Sequence, residues 1–170
     1  MNYNDIIIER PDNNTSTPEV PLPNTIMLVL TKFRNINQTV NLALKTAAEY
    51  NKLVILCIHK LNLSQYFVQT DIGFYPEWKK ECKKQLLQHY IFKCREKAGY
   101  ITELAKEEGI QTATYIRVNN FISSYLNILK KEKPSLVIMN RPLRPALFRK
   151  IFQSPADHLK LNAGCEVIEV

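Results

Sequence analysis

Residues 136–159 read LVIMNRPLRPALFRKIFQSPADHL. Four apolar residues open the stretch with the composition of a buried strand. Fourteen residues rich in arginine and proline follow, and then comes a helix-start signal. Ser154 is placed as N-cap, Pro155 at the first helical position and Asp157 two residues further on. A strand, a loop and a helix in that order are the unit with which many α/β proteins hold phosphate. This loop, however, contains no glycine.

Moving outward, the same alternation repeats. Ile26 to Leu30 is a compact apolar run, bounded by Pro23-Asn24 and Thr31-Lys32, and suits a strand buried on both faces. From Asn35 the period changes. Ile36, Val40, Ala43, Leu44 and Ala47 recur at helical steps, and NKLVILCI (51–58) then supplies a second buried strand. Residues 61–77 are irregular and aromatic. A long helix follows, with Leu87, Ile91, Cys94, Ala98, Ile101 and Ala105 on one face and Gly109 where a terminating glycine belongs. Residues 110–118 read as strand three. A helix with Ile122, Tyr125, Leu126 and Leu129 inward comes next and stops before Pro134. Residues 135–139 are strand four. A short helix ends at Gly164, and CEVIEV closes the sequence as strand five. The fold class this predicts is α/β, a five-stranded, mostly parallel sheet with helices on both faces.

Residues 1–24 stand apart. RPDNNTSTPEVPLPNT is rich in proline, asparagine and threonine and reads as a flexible tail, with Ile6 to Ile8 as a short segment able to dock on an edge. Residues 25–170 form the domain. The longest apolar runs are too short to cross a bilayer, and the sequence opens with acidic residues and no basic segment, so the expected location is cytoplasmic. Cys57, Cys82, Cys94 and Cys165 are widely spaced with no CxxC, which suits reduced thiols and no metal site. The formal charge of +7 is spread along helices beside glutamates, without the aromatic interleaving of a base-stacking face, so no nucleic acid is expected.

The order of elements and the segment KPSLVIMNRPLRPALFRKIFQSPADHLKLNAGCEVIEV (133–170) resemble the universal stress protein family over residues 25–170. The resemblance implies sheet order 3-2-1-4-5 and a homodimer, for which pairing through the C-terminal strand is expected and packing of the apolar Ala146 to Phe148 is the other route. The ATP-binding branch of that family carries Gly, two residues, Gly, nine residues, Gly, then Ser or Thr. Counting from Asn140, the glycine positions hold Asn140, Leu143 and Gln153, and Ser154 follows. The acidic residue that usually ends the first strand is replaced by Thr31.

Those departures have physical consequences. Glycine allows positive φ and close approach of backbone N–H groups to phosphate oxygens. Leu143 puts a branched side chain in that space, and Pro142, Pro145 and Pro155 each remove a donor. Asp157 adds negative charge to the first turn of the helix. A conventional ATP site is therefore not expected. Against this, Arg141, Arg144, Arg149 and Lys150 can grip an anion through their side chains, or else form a solvated rim or a subunit interface. The candidate nucleotide or anion site is accordingly Thr31, Ile58, Asn140, Arg141, Arg144 and Ser154, with ATP or AMP the implied ligand if one binds.

Nothing points to catalysis. His59 lies just past strand two without a nucleophile placed beside it, and His89 and His158 read as surface positions. There is no P-loop, dinucleotide fingerprint, HExxH or GxSxG. The expected function is a non-enzymatic, stress-associated or regulatory module acting through dimerisation and protein interaction. Two alternatives stay open: a nucleotide sensor with an arginine-rich pocket, and a cytosolic regulatory domain associated with a membrane transporter.

Overall fold

The computed structural model describes residues 8–11, 25–31, 33, 36–59, 76–118, 121–140 and 163–170. Their elements are β1 (Ile8–Pro11), β2 (Thr25–Leu30), α1 (Asn37–Ala47), β3 (Lys52–His59), α2 (Pro76–Glu107), β4 (Gln111–Val118), α3 (Phe121–Glu132), β5 (Leu136–Met139) and β6 (Glu166–Glu169). Residues 141–162, which include the arginine-rich loop and the expected last helix, lie outside the described residues.

The strands form one sheet in the order β1-β4-β3-β2-β5-β6. From β2 to β6 all pairs are parallel, with Ile26 level with both Leu53 and Leu136, Leu56 with Tyr115, and Val137 with Val167. Counting from β2, this is the 3-2-1-4-5 order that the family resemblance implied. β1 adds an antiparallel edge, Ile8 opposite Ile116 and Pro11 opposite Ala113. The stretch expected as a tail thus contributes a strand to the sheet. Its ending in proline fits an edge position, where an amide can be absent without breaking a central ladder.

β2, the middle strand of the parallel five, is buried at all six positions, as a run apolar on both faces requires. Ile26, Leu28 and Leu30 face one way. There they pack with Ile55, Cys57 and Ile138 beneath Val40, Ala43 and Leu44 of α1 and Cys94, Ala98 and Ile101 of α2. Met27 and Val29 face the other way and pack with Leu56, Ile58 and Met139 against Tyr125, Ile128 and Leu129 of α3. Gly109 ends α2 at φ +72, a left-handed conformation that glycine adopts without strain.

One expectation about α3 fails. Ile122 is 48% exposed, while Ile128 is buried with Tyr125 and Leu129. The helix presents the 125/128/129 stripe to the sheet, and at about 100° per residue Ile122 falls on its flank. Packing against two-faced strands selects one stripe where the apolar residues alone permit two.

Candidate functional site

In an open parallel sheet, ligands bind outside the carboxyl ends of the strands where the chain leaves two neighbouring strands in opposite directions. Here that place is the pair β2 and β5. β2 is followed by α1 and then β3 on one side, while β5 lies against its other side. Thr31 is the residue after β2 and Asn140 the residue after β5.

These two side chains meet. The Thr31 backbone N–H donates to Asn140 Oδ1 at 2.9 Å, and the Thr31 hydroxyl donates to the same oxygen at 3.3 Å. The Asn140 N–H reaches back to the Val29 carbonyl at 3.4 Å, and Asn140 is only 4% exposed. On the far side of β5, the Val170 N–H donates to the Met139 carbonyl at 3.0 Å. Where the nucleotide-binding pattern has glycine and open space, this chain has an amide side chain that ties one strand end to the next. Thr31, in place of an acidic residue, adds to its backbone N–H a hydroxyl donor that a carboxylate could not offer.

Ile58 is placed differently. It is 1% exposed, packed in the layer under α3 and level with Arg117 of β4, with no contact that joins it to the Thr31–Asn140 pair among the described residues. Arg141, Arg144 and Ser154 lie outside the described residues. Of the six candidates, the structure brings two together.

His59, the last residue of β3, stacks on Tyr90 of α2, with ring centroids 3.8 Å apart and planes at 17°. His89 stands edge-on to Tyr90, with ring centroids 5.8 Å apart. The sequence gives His59 no partner, because one helical position among many supplies Tyr90.

At the opposite edge of the sheet, Glu132 at the end of α3 joins three elements. It accepts a hydrogen bond from Lys52 Nζ of β3 at 2.6 Å and another from the Tyr115 hydroxyl of β4. Lys131 sits over the Tyr115 ring at 5.3 Å. Burial alone raises the Glu132 carboxyl, but its bonds from Lys52 and Tyr115 prevail and hold it below its ordinary value. Burial first, and then the neighbouring carboxylate, push the Tyr115 phenol up. This group pins α3 to the strands and is remote from the carboxyl edge. The four cysteines are free thiols, Cys57 and Cys94 both within the core.

With this geometry in view, the comparisons with solved structures are informative. No protein-family model and no curated protein matches the sequence. In three dimensions the chain is similar to a universal stress protein of Lactobacillus plantarum (TM-score 0.64, 13% identity, 86% of this chain and 97% of that one). It is also similar to a universal stress protein family member of Burkholderia pseudomallei (0.58, 15%, 86% and 95%). A third, solved as a universal stress protein in complex with cAMP, aligns with a TM-score of 0.53 at 14% identity, over 88% and 97% of the two chains. The chain has the universal stress protein fold, with Asn140 bonded to Thr31 across the ends of β2 and β5. Among the described residues no helix is long and apolar enough to cross a membrane.

Proposed function

We propose that the protein is a non-enzymatic, universal-stress-protein-like regulatory module, and that it works through dimerisation and protein interaction without conventional ATP binding. The observation that supports this reading is the Asn140–Thr31 bond across the ends of β2 and β5. A nucleotide seated there has to break two hydrogen bonds to a buried acceptor, and replacing them is costly. The open side of β6 supports the second half of the reading. It ends the sheet with four residues that carry no further strand among the described residues, which leaves a row of backbone groups for a second copy to pair with.

Thermal unfolding in the presence of nucleotides tests it. ATP, ADP, AMP and cAMP at millimolar concentration are expected to raise Tm no more than an equal concentration of inorganic phosphate. A larger rise with any of the four, saturating with concentration, overturns the reading. It would favour the nucleotide sensor instead, for which the cAMP complex of a similar fold is the supporting precedent.

A further inference from the structure

α1 connects the end of β2 to the start of β3, two parallel strands, so it runs antiparallel to them and its N-terminus stands over the carboxyl edge. That N-terminus is uncapped. Ile36 occupies the N-cap in a helical conformation (φ −82, ψ −12) with no side-chain hydrogen bond, and the first turn holds no acidic residue. The intrahelical ladder begins with the Val40 N–H, which donates to the Ile36 carbonyl at 2.8 Å. The N–H groups of Asn37, Gln38 and Thr39 therefore precede it. They carry the positive end of an 11-residue helix dipole.

A second observation is independent of the dipole. The Thr39 hydroxyl is buried, at 1% residue exposure, and has no hydrogen-bond partner among the described residues. A threonine inside a helix ordinarily satisfies itself on the carbonyl one turn back, as Thr46 does on Leu42 at 2.7 Å. Thr39 does not. It faces the sheet with Val40 and Ala43, and helical side chains lean toward the helix start. By that lean its side chain lies under the first turn. Leaving such a group unpaired costs free energy that a ligand returns. Asn37 and Gln38 are exposed, so the turn is accessible from solvent. From Thr25 to Ala48 the sequence contains Lys32, Arg34 and Lys45 and no acidic residue.

We infer that the N-terminus of α1, with the Thr39 hydroxyl, is a seat for a phosphate group, either free or carried by a small phosphorylated metabolite. The first-turn N–H groups and the hydroxyl donate to its oxygens, and the charge is balanced by the helix dipole. The site goes beyond the regulatory reading and does not depend on it, because it uses neither the loop after β5 nor an adenosine moiety.

The test is titration of the full chain with inorganic phosphate, and in a second arm with glycerol phosphate, against sodium chloride at matched ionic strength. Amide resonances and Tm are the readouts. The Asn37, Gln38 and Thr39 amides are expected to shift and saturate, with a rise in Tm that chloride does not give. A larger response to glycerol phosphate assigns the seat to a metabolite, and an equal one assigns it to free phosphate. Thr39→Val keeps the shape and should weaken binding about tenfold. Asn37→Asp puts a carboxylate in the first turn, so it should hold or raise Tm in phosphate-free buffer while abolishing the phosphate response. Amides indifferent to tens of millimolar phosphate overturn the inference. So does a phosphate response in Asn37→Asp equal to that of the native chain.

Discussion

Asn140 ties the ends of two strands together through a single side chain. Its amide oxygen takes two hydrogen bonds from Thr31 in a place almost closed to solvent. Asn140→Ala leaves the Thr31 N–H without that acceptor and should lower stability by about 1–2 kcal/mol. Urea unfolding should show a lower midpoint at an unchanged m-value. A midpoint equal to that of the native chain would mean the bond contributes nothing. Glu132 makes a complementary case at the other edge. Its folded pKa is depressed, so its contribution is complete above the ordinary glutamate pKa and is lost as pH falls through the folded value. Glu132→Gln should cost about 1–2 kcal/mol near neutral pH. It should also flatten the acid limb of the stability profile, so that native chain and variant converge in acid. Parallel profiles of variant and native chain would contradict this. Both contacts were hidden from the sequence for the same reason. Asn140 and Thr31 could each be picked out by position in a motif, but 109 residues separate them, and only the sheet register brings them together.

Elements were easier to read than contacts, because periodicity is local. The core-facing stripe of α2 runs Leu87, Ile91, Cys94, Ala98, Ile101, Ala105, the positions its alternating steps of four and three picked out. Ile101→Ala, at a fully buried position between α2 and the sheet, should destabilise by about 3 kcal/mol in chemical denaturation. A loss below 1 kcal/mol would mean the stripe is not packed as described. The stripe also shows where α2 leaves the sheet. At about 1.5 Å per residue the helix is about 48 Å long, whereas an eight-residue strand reaches about 26 Å. Burial begins at Leu87, and from Glu77 to Gln85 every residue but the half-buried Cys82 is exposed. β1 was the least legible element. A strand ending in proline and followed by asparagines and threonines has no periodicity to betray it, and only the isoleucine run of 6–8 hinted at docking. The Thr39 hydroxyl left no trace either, since threonine at a core-adjacent helix position reads as filler until its lack of a partner is seen.

For the whole molecule, strand and helix alternation led to a mostly parallel five-stranded sheet, and the order 3-2-1-4-5 came from the family resemblance. The proposed assembly can be addressed through the hydrogen-bond phase of β6. Val170 N–H points at β5, and N–H direction alternates along a strand, so those of Val167 and Glu169 point outward. Glu169→Pro removes an outward donor without touching the β5–β6 ladder. In size-exclusion chromatography with light scattering the native chain should elute as a dimer and the variant as a monomer, with an unchanged circular dichroism spectrum. A variant that stays dimeric rules out edge pairing. The antiparallel β1 then acquires a meaning of its own. A sheet with two open rims is divalent, and copies joined rim to rim have no reason to stop growing. By lying along β4, β1 replaces an eight-residue rim with one of four residues that ends in a proline, a shorter template with a missing amide and so a poorer one for a further copy.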